Sequence, residues 1–239
     1  MDEYYEKNKG KIKKEMCGYL ELISKELKED TGKSFDMLIE EIWSVYKSDF
    51  LERFPFIGGD KASGTRNLTG AYSFVAMGEV CRKNYGMTLE RWGYLTTLCY
   101  KRYFSKIPSF LTKIAGWALT KPNLLYKMLR KKDEKNITNA RMNPGSFETE
   151  TQNPTKEYPA GYNVLVCPLA EFAKKYGYME YMPYICNLDY VMFEAFNVPF
   201  YRECTRADGD EFCDFKLKSG APVNKSWPCH ILTEGDPLK

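Results

Sequence analysis

Met16, Leu20, Ile23 and Leu27 recur at the spacing of one helix face, and Gly32 follows as a stop. Ser34 or Asp36 then caps a segment that carries Ile39, Trp43, Tyr46 and Phe50 on one stripe and ends at Phe54-Pro55. A loop follows with three glycines in residues 56–64. From Asn67 the helical period returns. Phe74, Met77 and Cys81 share a face, Gly86 closes the helix, and Thr88 caps another with Leu89, Trp92, Leu95 and Cys99. Residues 108–135 interleave lysines with apolar positions and break at Pro122, which predicts two short surface helices with snorkelling lysines, a membrane-surface or nucleic-acid patch being the lesser alternative.

The pattern changes after residue 135. Asn, Thr, Pro, Gly and Glu dominate residues 136–162, which predicts loops and one or two short strands. Residues 163–167 form a compact β-type run. Pro168 opens a helix with Leu169, Phe172 and Tyr176 inward and Gly177 at its end. A further helix is expected from near Asn187 to Phe196. The strongest local signal is a hairpin: residues 199–206 and 211–218 flank Asp208-Gly209, a dipeptide suited to a two-residue turn with positive φ. That register sets Cys204 opposite Cys213 and Arg202 opposite Phe215. The order predicts an α+β fold, a helical portion over 1–135 and an α+β portion over 136–239, integrated into one domain. The tail after Gly220 reads as an extended strap.

Composition narrows the chemistry. Eight cysteines stand against a single histidine, His230. One histidine excludes a site that needs two imidazoles, such as a His-rich zinc centre. Eight cysteines in 239 residues fit a reducing cytosol better than a disulfide scaffold. The N-terminal residues show no apolar stretch behind a basic start, and no run is long and apolar enough to span a membrane. A cytoplasmic protein is expected. Net charge is +3 but unevenly placed: residues 101–135 carry ten Lys/Arg and two acids (+8), whereas residues 177–214 carry two Arg and eight acids (−6). Such runs are commonly solvated helix faces, though the asymmetry also suits an anionic ligand or a polar contact, a homo-oligomer among them. No nucleic-acid motif accompanies the basic stretch.

Two places carry candidate chemistry. If Asn187 caps a helix, Cys186 sits just before its N-terminus, where partial positive charge lowers a thiol pKa, and Asp189 lies in the first turn beside it. Such a pair serves as nucleophile and proton shuttle; the bland alternative is a packed thiol and a helix-start acid. The hairpin groups Arg202, Cys204, Asp208, Gly209, Cys213 and Asp214, so that Arg202 would hold a substrate carboxylate beside a thiol; here the alternative is a turn signal with packing cysteines. Cys167, Cys186, Cys204 and Cys213 contain no C-x-x-C pair, weak grounds for zinc. A Cys229–His230 pair lies in the tail.

Cys186 through Asp189, then Arg202, then Gly209-Asp210-Glu211-Phe212-Cys213-Asp214-Phe215 resembles the C-terminal signature of the L-2-amino-thiazoline-4-carboxylic acid hydrolase-like family. The Pro55-Phe56-Ile57-Gly58-Gly59 loop and the helices around Gly86-Met87-Thr88 also resemble that family, so the likeness spans roughly 35–218. The hairpin pattern is similar as well to 4-vinyl reductase-like ligand-binding domains, which leaves a non-catalytic small-molecule or metal sensor as the alternative. The resemblance implies hydrolysis of a cyclic isothiourea: water adds at the amidine carbon of 2-aminothiazoline-4-carboxylate and the ring C–S bond opens to N-carbamoyl-cysteine. It implies no metal or cofactor and a small anionic substrate. On this likeness Cys186 is the thiolate nucleophile or a water-orienting group, and Asp189 the general acid/base. Cys213 is a second thiol or pocket wall, Arg202 is the carboxylate clamp, Asp214 is a polar substrate contact, and Asn67 is either a polar substrate contact or a helix cap.

Overall fold

The structure is a computed structural model that describes residues 1–218 and 220–223. Cys229 and His230, and most of the expected strap, lie outside the described residues. The chain divides into two compact units, one over Met1–Tyr103 and one from Phe104 onward.

The first unit is helical among its described residues. Helix α1 (Glu3–Leu20) begins where the Asp2 carboxylate accepts the Tyr4 N–H, and it buries Tyr5, Ile12, Met16 and Leu20. A short 3-10 turn at Glu21–Ile23 leads into α2 (Ser24–Thr31), which ends on Gly32 at φ 70°. That left-handed residue is the stop that the glycine predicts. Helix α3 (Phe35–Val45) takes Ser34 as its cap. It then widens into a π turn over Tyr46–Leu51, which no simple period predicts. The widened turn keeps Tyr46, Phe50 and Leu51 buried together, and the Tyr46 hydroxyl donates to the Thr69 carbonyl. Helix α4 (Ser63–Tyr85) starts four residues before Asn67 and ends at Gly86. Helix α5 (Leu89–Ser105) starts after Thr88, whose hydroxyl accepts the Arg91 N–H. Trp92, fully buried, donates its indole N–H to the Phe74 carbonyl at 2.8 Å.

The second unit confirms the α+β class. Helices α6 (Ser109–Leu119) and α7 (Pro122–Met142) come first, with Pro122 at the opening of α7, where its missing N–H costs nothing. Helix α7 runs past residue 136, where loops were expected. Asn136 donates to Thr149 Oγ1 and Asp133 accepts from Thr149 and Thr151, so the polar residues of this stretch tie the helix to a strand. Strands β1 (Glu148–Thr151), β2 (Ala160–Val166), β3 (Phe200–Tyr201) and β4 (Cys213–Leu217) form one antiparallel sheet in the order β1-β2-β4-β3. Helix α8 (Pro168–Tyr176), closed by Gly177, and α9 (Met182–Ala195) lie between β2 and β3 in sequence. The core joins Val164, Phe200, Phe215 and Leu217 of the sheet to Tyr190 and Phe193 of α9 and to Leu125 and Leu129 of α7.

Two local expectations change. Helix α9 begins at Met182, because Pro183 in its first turn supplies a helix start ahead of Asn187, so Cys186 lies inside the helix and not before its N-terminus. The hairpin keeps its predicted register, with Phe200 opposite Leu217 and Tyr201 opposite Lys216, but the ladder stops there. Side chains capture the next backbone donors. Asp214 Oδ1 accepts the N–H groups of Glu203 and Cys204, and Asp210 Oδ2 accepts that of Thr205. What was expected as a tight two-residue turn is therefore a broad loop over residues 202–212.

Candidate active site

Cys186 and Asp189 are one turn apart on α9, so both side chains leave the same side of the helix. Arg202, just beyond β3, reaches back to them. Its Nη1 donates to Asp189 Oδ2 at 2.8 Å and its Nη2 to the Cys186 carbonyl at 2.9 Å. Three rings enclose the guanidinium, whose carbon lies 5.4 Å from the Tyr190 centroid and 5.5 Å from those of Phe200 and Phe215. Only 3% of the Arg202 side chain is accessible, against 34% of Asp189. Arg202 thus sits behind the carboxylate, packed by aromatics, and fixes its orientation.

Asp189 has accessible surface, yet burial lifts its pKa above the ordinary aspartate value even with Arg202 and Lys132 pulling it down. Asp189 therefore keeps solvent access while neighbouring protein desolvates it, as at a recess in the surface. The same combination recurs at neighbouring positions. Burial pushes the partly exposed Cys186 thiol well above its usual value, and the Cys167 thiol up to about 12. Burial also raises the partly exposed Tyr162 phenol and lowers the Lys132 ammonium, the latter against the charges of Asp133 and Asp189. Cys213, Asp189 and Arg202 are among the charges that act on Tyr162, and Cys213 also acts on Cys167, so these side chains share one neighbourhood. The Cys213 thiol is buried and accepts the Arg206 N–H at 3.2 Å.

Cys186 does not gain the helix-start charge expected of it. At the fifth position of α9 it is past the free N–H groups, and its thiol is held protonated. Asp214, 2% exposed, accepts three hydrogen bonds from the 203–204 segment and an ion pair from Lys216. Burial alone would raise its pKa, but these contacts outweigh it and hold the carboxyl below its ordinary value. Asp214 thus shapes the loop that leads from Arg202 to Cys213. Asn67 is an exposed residue of α4, in the first unit. Cys81 and Cys99 are buried in that unit and Cys17 is half-buried. Among the described residues no three His, Cys, Asp or Glu side chains converge as a metal site.

Sequence reasoning missed Lys132. It lies in the run Arg130-Lys131-Lys132, which looks like a solvated face; its side chain is exposed, but it borders the buried stripe of α7 set by Leu125, Leu129 and Asp133. Its Nζ stands 5.3 Å from the Tyr162 ring centroid, and that ring stacks on Phe215 at 4.6 Å. Among the described residues it has no hydrogen-bonding or ion-pair partner within contact distance, which distinguishes it from Arg202.

These features describe an α+β unit in which a thiol, an arginine-clamped carboxylate and a lysine ammonium without a hydrogen-bonding partner share one neighbourhood. The family described as L-2-amino-thiazoline-4-carboxylic acid hydrolase is matched by residues 110–217, which include α6 through β4 and every one of these groups. The resemblance read from the sequence therefore holds over that span, and it supports a hydrolase-like function at the level of the family. Against curated proteins and against solved structures the chain has no significant match. No helix among the described residues is long and apolar enough to cross a membrane.

Proposed function

We propose that the recess hydrolyses a small anionic cyclic amidine, with 2-aminothiazoline-4-carboxylate as the type of substrate and N-carbamoyl-cysteine as the product. One observation carries the reading: a carboxyl whose pKa burial raises, fixed by a buried arginine one helical turn from a protonated thiol. A carboxylate tuned upward is a better base near neutrality than an exposed aspartate.

In the proposed reaction the substrate carboxylate lies at Lys132, the cation that keeps no protein partner. Arg202, whose nitrogens are spent on Asp189 and the Cys186 carbonyl, supports the site through Asp189 instead of clamping substrate directly. Water adds at the amidine carbon between nitrogen and sulfur as the C=N double bond opens, and Asp189 carries one water proton to the ring nitrogen. The C–S bond then breaks as the hydroxyl on the tetrahedral carbon becomes the carbamoyl carbonyl, and Asp189 carries that hydroxyl's proton to the departing sulfur. Because burial keeps Cys186 protonated, it acts as a hydrogen-bonding group that orients the water, with Cys213 as a wall of the recess.

The test is release of free thiol from 2-aminothiazoline-4-carboxylate. The wild type is expected to release it, Asp189→Asn to lose about 10²–10⁴-fold in kcat, and Cys186→Ala about tenfold. No thiol from the wild type would refute the substrate class. A loss at Cys186 as large as that at Asp189 would instead make the cysteine the nucleophile.

A further inference from the structure

Helix α6 is seated with its polar and small residues inward. Thr112 and Gly116 are buried, and a Cβ at Gly116 would lie 1.9 Å from the Phe196 carbonyl oxygen, so the backbone of α6 meets the end of α9 directly. This contact fixes the rotation of the helix. It leaves Phe110, Ile114 and Trp117, spaced by four and three residues, about 60% exposed on one face. Leu111 beside them, and Leu124 and Met128 one turn apart on α7, are exposed as well. Most exposed large apolar side chains of the described chain fall on these two helices, which is more apolar surface than scattered chance positions supply.

The charge around this face has one sign. Residues 104–132 contain seven Lys/Arg and no Asp or Glu. Lys113 lies between Phe110 and Trp117 on α6, and Lys121 Nζ stands 4.9 Å over the Trp117 ring. Lys127 and Lys131 are exposed along α7. Two copies meeting through this face by a two-fold axis would oppose lysine to lysine, which argues against self-association. Aromatic and aliphatic side chains interleaved with cations, without a single carboxylate, match instead the boundary between acyl chains and anionic headgroups.

We propose that the α6–α7 face adsorbs to an anionic lipid surface, with Phe110, Ile114 and Trp117 entering the headgroup layer and Lys113, Lys121, Lys127 and Lys131 meeting lipid phosphates. The protein lies on the bilayer and does not span it. The adsorption does not depend on the reaction proposed for the recess.

Sedimentation of the full chain with vesicles tests this. It is expected to pellet with phosphatidylcholine–phosphatidylglycerol vesicles, to stay in solution with phosphatidylcholine alone, and to be released by high salt. Ile114→Asp and, separately, Phe110→Ser are expected to weaken partition about tenfold. Both positions are exposed, and unchanged melting would show that the variants fold. Failure of the wild type to bind anionic vesicles, or variant binding equal to wild type, would overturn the proposal. So would a concentration-dependent dimer in lipid-free solution that Ile114→Asp abolishes, because a second copy would then own the face.

Discussion

Arg202 and Lys132 show how two cations in one neighbourhood come to different work. Arg202 is desolvated and fully committed, so its charge acts on Asp189. The sign of its influence is testable. Its positive charge pulls the Asp189 pKa down against burial, and removing it in Arg202→Met should raise that pKa further. The acid limb of thiol release, already expected above the ordinary value of 3.8, should therefore move to higher pH in this variant, as a pH–rate profile will show. Lys132→Met should instead raise KM with little change in kcat, the mark of a lost ground-state contact. The contacts of Asp214 argue for a contribution to stability. Its pKa is depressed in the fold, so its contribution is present above the unfolded-state pKa and lost as pH falls through the folded one. Asp214→Asn should lower stability by about 3 kcal/mol at neutral pH in a denaturant titration, since three donors and Lys216 lose a buried charge.

At the scale of elements, what could be read in the sequence was what local chemistry decides. Gly32, Gly86 and Gly177 end helices because each takes a positive φ, and Ser34 caps α3 through its hydroxyl. The β3–β4 register also followed from the symmetry of the two runs about Asp208-Gly209, although the tight turn itself did not form. Where two local signals compete, the reading failed: Asn187 looked like a cap, but Pro183 had already started α9. The broad 202–212 loop was hidden for a different reason, because Asp210 and Asp214, within the hairpin itself, take backbone donors that the ladder would have used. Lys132 was hidden because a basic run looks alike whether it faces water or a recess. Close backbone approach, another property that only the folded chain reveals, makes a sharp prediction. Gly161→Ala would place a Cβ 2.8 Å from the Phe215 carbonyl oxygen in the middle of the sheet, and is expected to cost about 2 kcal/mol by thermal or chemical denaturation.

On the scale of the whole molecule, all groups assigned to the reaction come from the unit that begins at Phe104. Hydrogen exchange with bound substrate analogue should therefore slow in α7, β2, α9 and the 202–212 loop, while amides around Trp92 keep their rates. Protection confined to residues 1–103 would move the site to the other unit. One earlier detail gives this layout a further meaning. Lys132 and Asp133 are consecutive on α7: the first stands over Tyr162 in the recess, the second is gripped by the Thr149 and Thr151 side chains and by the Thr151 N–H of β1. The root of the lysine is thus moored to the sheet edge like a fixed electrode on a rigid mount. On the proposed reading, a guest entering the recess would be sorted by where along its body the negative charge lies, and a molecule of the right size with its charge at the wrong end would bind more weakly.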